Sequence, residues 1–287
     1  MTKLFVNNLT VIDFSYLDAE RGVVGESWMV DIALIGSLDE QGMVFDFGHV
    51  KKQIKQFIDA EVDHRLLVPI NSSGCNLHSE DDVLIVEFPL KSGGMILHKS
   101  PPDAVLRVDA EAITSDQTAS ELQSKMMSIL PDNVTDVVLH LRHEEIEGAY
   151  YHYTHGLQKH LGQCQRIAHG HRSQFQVFID GERNAGIESS WANKLNDGFI
   201  ATEAHILEEF ERDGIAHMLI GYSAQQGNFS IGLPSKDVFV MPMESTVENI
   251  AGYLAELIAK ENHGEVLVRA YEGFDKGAIG EACFVKN

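Results

Sequence analysis

The chain repeats its own plan, and that repetition limits its fold more than any other feature. The first half opens with LFVNNLTVIDFSYLDAE and GESWMVDIALIG, whose alternating apolar and polar residues predict two antiparallel strands. GMVFDFGHVKKQIKQFIDAEVDH follows, with Val50, Ile54, Phe57 and Ile58 at the spacing of an amphipathic helix. SDQTASELQSKMMSIL predicts a second helix, capped by Ser115 or Asp116. VTDVVLHLRHEEIEGAYYHYT then reads as strand, turn and strand. The second half runs in the same order. GAYYHYTHGL and HGHRSQFQVFIDG read as strands, and SSWANKLNDGFIATEAHILEEFERDG as helical. MESTVENIAGYLAELIAKENHG reads as a helix with Ser245 or Thr246 near its start and Gly264 past its end. EVLVRAYEGFDKGAIGEACFVKN supplies a final strand pair. A repeated β-β-α-α-β-β plan predicts duplication, with the boundary near 147–150. The segments 72–110 and 182–230 stand outside that plan.

Composition narrows the classes. A formal net charge of −21 makes nucleic-acid backbones and anionic membranes poor partners. No apolar run has membrane-spanning length. The first residues carry aspartates where a secretory leader would need an apolar stretch, so a cytoplasmic location is expected. The three cysteines, Cys75, Cys164 and Cys283, are far apart and odd in number, which argues against a disulfide framework.

Half of the fourteen histidines fall between His140 and His171. In CQRIAHGH, His169 and His171 point to the same side of a strand, and a third histidine from YYHYTHGL could complete a metal site. Cys164 could be a fourth ligand or a reacting group. His155 is the favoured third ligand, with His152 and His160 close by. His160, four residues before Cys164, leaves open a closed structural His/Cys/His/His site.

These motifs resemble the 6-pyruvoyltetrahydropterin synthase and 6-carboxytetrahydropterin synthase family. The resemblance rests on H…C…HGH, on GMVFDF with a helix ending in Asp-His, on the Thr/Ser-Glu helix start, and on a strand ending in glutamate. It covers most of the chain as two diverged copies. It implies an α+β fold of two tandem T-fold (β-β-α-α-β-β) units, with antiparallel sheets, helices on one face, and a barrel closed by oligomerisation. The copies would span 1–148 and 149–287.

The resemblance also implies roles. His155, His169 and His171 would hold Zn2+, and Cys164 would be catalytic. The first copy lacks these groups, with Asp18 and Val24-Gly25-Glu26 in their places. It keeps the family's catalytic pair as Asp63 and His64, which the second copy lacks. Complementary losses predict one composite site built from two unlike copies. Glu272 would anchor the pterin, ahead of Glu144 or Glu145 in the first copy, and Thr246 would bind substrate at a helix start. The activity implied is a zinc-dependent carbon–oxygen or carbon–carbon lyase acting on 7,8-dihydroneopterin triphosphate in a homo-oligomer. The 6-carboxytetrahydropterin branch, which feeds queuosine synthesis, is favoured over the 6-pyruvoyl branch. Two rivals remain: aldolase-like cleavage of dihydroneopterin, which Cys164 argues against, and a non-catalytic zinc- or pterin-binding protein.

Overall fold

The computed structural model describes residues 1–262 and 264–284, with the backbone alone at 49 and 50. The first copy begins with long strands β1 (Thr2–Asp18) and β2 (Gly22–Gly36), then helix α1 (Phe47–Glu61) and β3 (Leu66–Pro69). Three strands follow, β4 (Asn76–Glu80), β5 (Val83–Pro89) and β6 (Met95–Ser100), before β7 (Val105–Val108), α2 (Ser115–Met126) and β8 (Val134–Arg142). The second copy starts with β9 (Tyr150–His155), β10 (His169–Ile179), the short β11 (Glu182–Arg183), α3 (Ala185–Leu195) and β12 (Gly198–Thr202). Its own extra strands are β13 (Ile206–Arg212), β14 (Ile215–Ala224) and β15 (Gly227–Pro234). It closes with β16 (Val238–Met241), α4 (Val247–Asn262), β17 (Gly264–Tyr271) and β18 (Gly277–Phe284).

The fold is α+β, and each copy carries one sheet. The orders are β7-β3-β1-β2-β8 and β16-β12-β9-β10-β17-β18, with β11 attached to β10. The sheets are mixed, which corrects the antiparallel expectation. β3 runs parallel to β1 and to β7, and β12 runs parallel to β9 and to β16. These short central strands were also missing from the expected order of elements. The stretch read as one helix over 189–214 is α3, β12 and β13. Asn184 caps α3, accepting the Ile187 N–H at 3.1 Å. The two extra segments meet each other. β15 pairs antiparallel with β6, so the insertions of both copies form one six-stranded sheet, β13-β14-β15-β6-β5-β4.

Alternation along β1 sorts its side chains. Ile12, Phe14 and Tyr16 enter a core with Ile54 and Ile58 of α1 and Leu122 and Met126 of α2. The matching core of the second copy joins Tyr151, Tyr153 and Phe175 to Trp191 of α3 and Leu254 and Ile258 of α4. A third core, with Leu17, Leu66, Phe88, Phe199 and Ile231, lies where both copies meet the insertion sheet. The intervening residues of β1 bring the copies together. Ser15 Oγ lies 2.8 Å from Thr154 Oγ1. Gly25 and Gly170 face each other closely: a Cβ on Gly170 would lie 2.7 Å from Gly25 Cα. Only glycine permits strands to approach so far.

Candidate active site

The β9–β10 register sets His169 directly across from His155, and His171 across from Tyr153 on the same face. The three imidazoles are 0%, 1% and 2% exposed for His155, His169 and His171. Their ring centroids stand 4.6 Å (His155–His169), 5.4 Å (His155–His171) and 5.9 Å (His169–His171) apart. His155 Nδ1 donates to the Ser245 carbonyl at 2.8 Å, and His169 Nδ1 to the Arg166 carbonyl at 2.9 Å. A carbonyl only accepts, so each Nδ1 carries the proton and each Nε2 presents a lone pair. His171 Nδ1 lies 3.3 Å from Asp13 Oδ1. The Nε2 atom of His155 and both ring nitrogens of His171 are buried without a hydrogen-bond partner, Asp13 facing Nδ1 at ion-pair distance. Burial drives His155 down to about 3 and, helped by the neighbouring imidazoles, His169 well below its usual range. One ligand atom from each of the three residues lies within 4.8 Å of the others. Neutral imidazoles with unsatisfied, converging nitrogens suit a borderline-soft metal ion and leave a coordination position open.

His160, by contrast, is exposed and donates Nδ1 to the Leu161 carbonyl at 2.7 Å, so it takes no part in a closed site. Cys164 stands on a single 3-10 turn, Gln163–Gln165, in the loop between β9 and β10. It is half-buried, and all three cysteines are free.

The first copy delivers Asp63 and His64 to the same place. They follow α1, where His64 takes a left-handed φ of 56° and its N–H bonds the Asp13 carbonyl at 2.8 Å. Asp63 Oδ1 accepts the Asp13 N–H at 2.9 Å, and its Oδ2 lies 2.7 Å from His64 Nδ1. The carboxylate thus fixes Nδ1 as the protonated atom and leaves Nε2 to the site. The His64 ring lies 4.9 Å from that of His169, and ligand atoms of His64, Cys164 and His169 fall within 4.8 Å of one another. Burial opposes the charged form of His64, but Asp63 and the adjacent Cys164 overcome it and push its pKa up to about 10. Arg166 Nη1 spans to the Asp63 and His64 carbonyls, 3.4 Å from each.

Glu272 follows β17 directly, with Oε1 4.0 Å from His171 Nε2. Its N–H bonds the Lys276 carbonyl at 2.9 Å, closing a turn. Thr246 is half-buried at the start of α4, where its hydroxyl accepts the Asn249 N–H at 3.4 Å. The structure therefore gathers the triad, Cys164, Asp63, His64 and Glu272 around one point and leaves Thr246 as a helix cap. Three participants had gone unnoticed: Asp13, Lys276, and Ser245 through its carbonyl. A charged residue inside the apolar run TVIDFSY was the only local sign of Asp13.

The first copy's equivalent position is built differently. The His152 N–H bonds Asn196 Oδ1 at 3.0 Å and the Asp197 N–H bonds the His152 carbonyl at 2.8 Å, repeating the Asp13–Asp63–His64 pattern. Asn196 and Asp197 thus replace Asp63 and His64. The β1–β2 register then puts Tyr16, Val24 and Glu26 at the triad positions. Tyr16 corrects the expected Asp18, whose carboxylate instead accepts the Glu20 and Arg21 N–H groups at 2.8 and 2.9 Å. Continuing through β8 places His143, one residue before Glu144, opposite Glu272's role. Arg21 crosses to Asp197 in a two-pronged ion pair, 2.6 and 2.9 Å. Tyr16, Arg21, Glu26 and His143 line a cavity of about 270 Å3 at this position.

Fold and site together define a duplicated α+β protein with a buried three-histidine centre completed by an Asp–His pair from its other half. The 6-pyruvoyl tetrahydropterin synthase family model matches twice, over residues 16–153 and 144–281, and the chain belongs to this family. It is 25% identical over 126 residues to a Pyrococcus horikoshii protein provisionally named 6-carboxy-5,6,7,8-tetrahydropterin synthase, covering 44% of this chain and 71% of that one. A Pyrococcus abyssi protein of the same name is 24% identical over the same shares. The solved 6-pyruvoyl tetrahydropterin synthase of Plasmodium vivax aligns at 14% identity and a TM-score of 0.38, covering 49% of this chain and 97% of that one.

Proposed function

We propose that the chain is a zinc-dependent pterin synthase that acts on 7,8-dihydroneopterin triphosphate, eliminates triphosphate and cleaves or rearranges the side chain. The 6-carboxytetrahydropterin type is favoured, as the names of the two Pyrococcus relatives suggest. One observation carries the reading: three buried imidazoles, a free cysteine and an Asp–His pair meet within a single chain, although two separate copies supply them. His155, His169 and His171 would hold zinc, which when bound makes the C–H next to a polarised side-chain oxygen more acidic. Cys164 would move one proton, and His64, oriented by Asp63, the other. Glu272 would accept two N–H bonds from the pterin's amino-pyrimidinone edge, with Thr246 contributing at the helix start. In this reading residues 1–148 form the copy without metal ligands and 149–287 the copy with them. The protein would be a cytoplasmic homo-oligomer without nucleic-acid or membrane partners.

The test is the zinc content of the purified chain, followed by mass analysis of products from dihydroneopterin triphosphate. About one zinc per chain and a 6-carboxytetrahydropterin product support the proposal. Zinc without turnover would leave a binding protein, and absence of zinc would remove the reading.

A further inference from the structure

The three triad histidines are oriented in two different ways. His155 and His169 donate to main-chain carbonyls of their own copy, at Ser245 and Arg166. His171 faces a side chain instead, with Asp13 Oδ1 3.3 Å from its Nδ1, and Asp13 comes from the other copy. Asp13 is only 4% exposed. A buried carboxylate is costly unless it is partnered on every side. Here Oδ1 accepts the Ser27 hydroxyl at 2.5 Å, and Oδ2 lies 3.2 Å from Lys276 Nζ. Lys276 belongs to the turn that begins at Glu272. Gly273 of that turn packs so tightly that a Cβ there would lie 2.5 Å from Asp13 Oδ1.

The pseudo-symmetric position carries the same pair with its partners exchanged and at longer range, because there the imidazole Nδ1 donates to the Gly25 carbonyl at 2.7 Å. His152 occupies the place of Asp13 and Glu26 that of His171, with His152 Nδ1 3.9 Å from Glu26 Oε2. An acid and an imidazole therefore face each other on both sides of the copy interface. Only in one of the two pairs does the imidazole stand on the metal-binding side.

We infer that Asp13 is a positioning residue of the metal centre. Its charge, 3.3 Å from Nδ1, favours the proton of His171 there and leaves Nε2 to the other two imidazoles, and through Lys276 it ties that side of the centre to the turn bearing Glu272. Carboxylates behind metal-bound imidazoles act in this way, and their loss costs about 10–100-fold in metal affinity. The metal centre then depends on the first copy for its affinity as well as for its Asp–His pair. This inference rests on the proposed reading of the triad as a metal site.

The experiment measures zinc affinity of the full chain by competition with a chromophoric chelator, for wild type, Asp13→Asn, Asp13→Ser and His171→Ala. Asp13→Asn keeps the shape and one acceptor oxygen, so about a 10-fold loss is expected; Asp13→Ser removes the contact and should approach about 100-fold. Apo-protein melting reports whether each variant folds, and the two substitutions differ enough that one folded variant suffices. The visible spectrum of the Co2+-loaded chain should change in the Asp13 variants, which a purely structural role would not produce. If Asp13→Asn and Asp13→Ser bind zinc as wild type does, with unaltered Co2+ spectra, while His171→Ala loses it, the inference is overturned and the triad reading stands. If wild type itself binds no zinc, the triad reading falls and this inference with it.

Discussion

Gly25→Ala should separate the two copies at the point where the site is assembled. Gly25 has no left-handed φ, so the substitution introduces no backbone strain of its own. What matters is space. The new Cβ would overlap the Tyr153 carbonyl and stand 2.7 Å from the His171 nitrogen. Both are main-chain atoms of β9 and β10, so no rotamer change relieves the clash. Restoring an ordinary contact with that carbonyl requires these strands to withdraw from β2 by roughly 1.7 Å, since non-bonded heavy atoms rest at about 3.5 Å. Overpacking of this kind costs about 1–3 kcal/mol, and the loosened Ser15–Thr154 hydroxyl contact adds about 1 kcal/mol. The smaller entropy of the unfolded chain returns about 0.4–1 kcal/mol. A net loss of about 1–4 kcal/mol is expected from these contributions, or about 2–14 °C in Tm. Urea and thermal unfolding should show it, with Gly252→Ala as control, because a Cβ at that helical position meets nothing within 4 Å. Turnover should fall further than stability, because β10 carries His169 and His171 away from His64. A Gly25→Ala chain within about 0.5 kcal/mol of wild type, with unchanged turnover, would refute this account of the interface.

Other outcomes follow from the same geometry. His64→Gln and Asp63→Asn should each lower turnover by about 10^2–10^4-fold while zinc content by elemental analysis stays at the wild-type level; full activity in both would exclude the composite site. His169→Ala should abolish stoichiometric metal. The metal-free protein should be most stable near neutrality. The depressed value of His155, about 3, makes stability decline as pH falls below about 6.5, where the unfolded chain takes up protons first. The raised value of His64, about 10, gives stability that is complete below about 6.5 and fades as pH rises toward 10. Urea midpoints across that range should form a dome, and His64→Gln should flatten its alkaline side. Arg21→Met removes the paired contact to Asp197 between copies and should cost about 1–2 kcal/mol with no change in metal affinity.

Much of the centre was legible in short motifs because its parts follow backbone periodicity. His-Gly-His puts two imidazoles on one face of any strand. Asp-His at the end of an amphipathic helix, and a cysteine in the polar loop before the triad strand, stand out for similar reasons. The misreadings share a cause as well. ILEEFER has the density of charge that suits a helix, yet it is the edge strand β13, where charges face solvent and discourage further pairing. Thr114, not Ser115 or Asp116, caps α2, because the cap is the last residue still in extended geometry, here φ −133°. Asp18 looked like the lost ligand until the β1–β2 pairing placed Tyr16 there.

The sequence by itself determined the duplicated plan, the two long hairpin strands, the amphipathic helices and the chemistry of the triad, since each is written in spacing within one element. Only the tertiary structure decided that both insertions join in one sheet, that Asp63 and His64 reach His169 within the same chain, and that Asp13 stands behind His171. Those contacts join residues such as Ser15 and Thr154, 139 positions apart, and the chain brings them together only when two glycines let the strands of its halves close on each other.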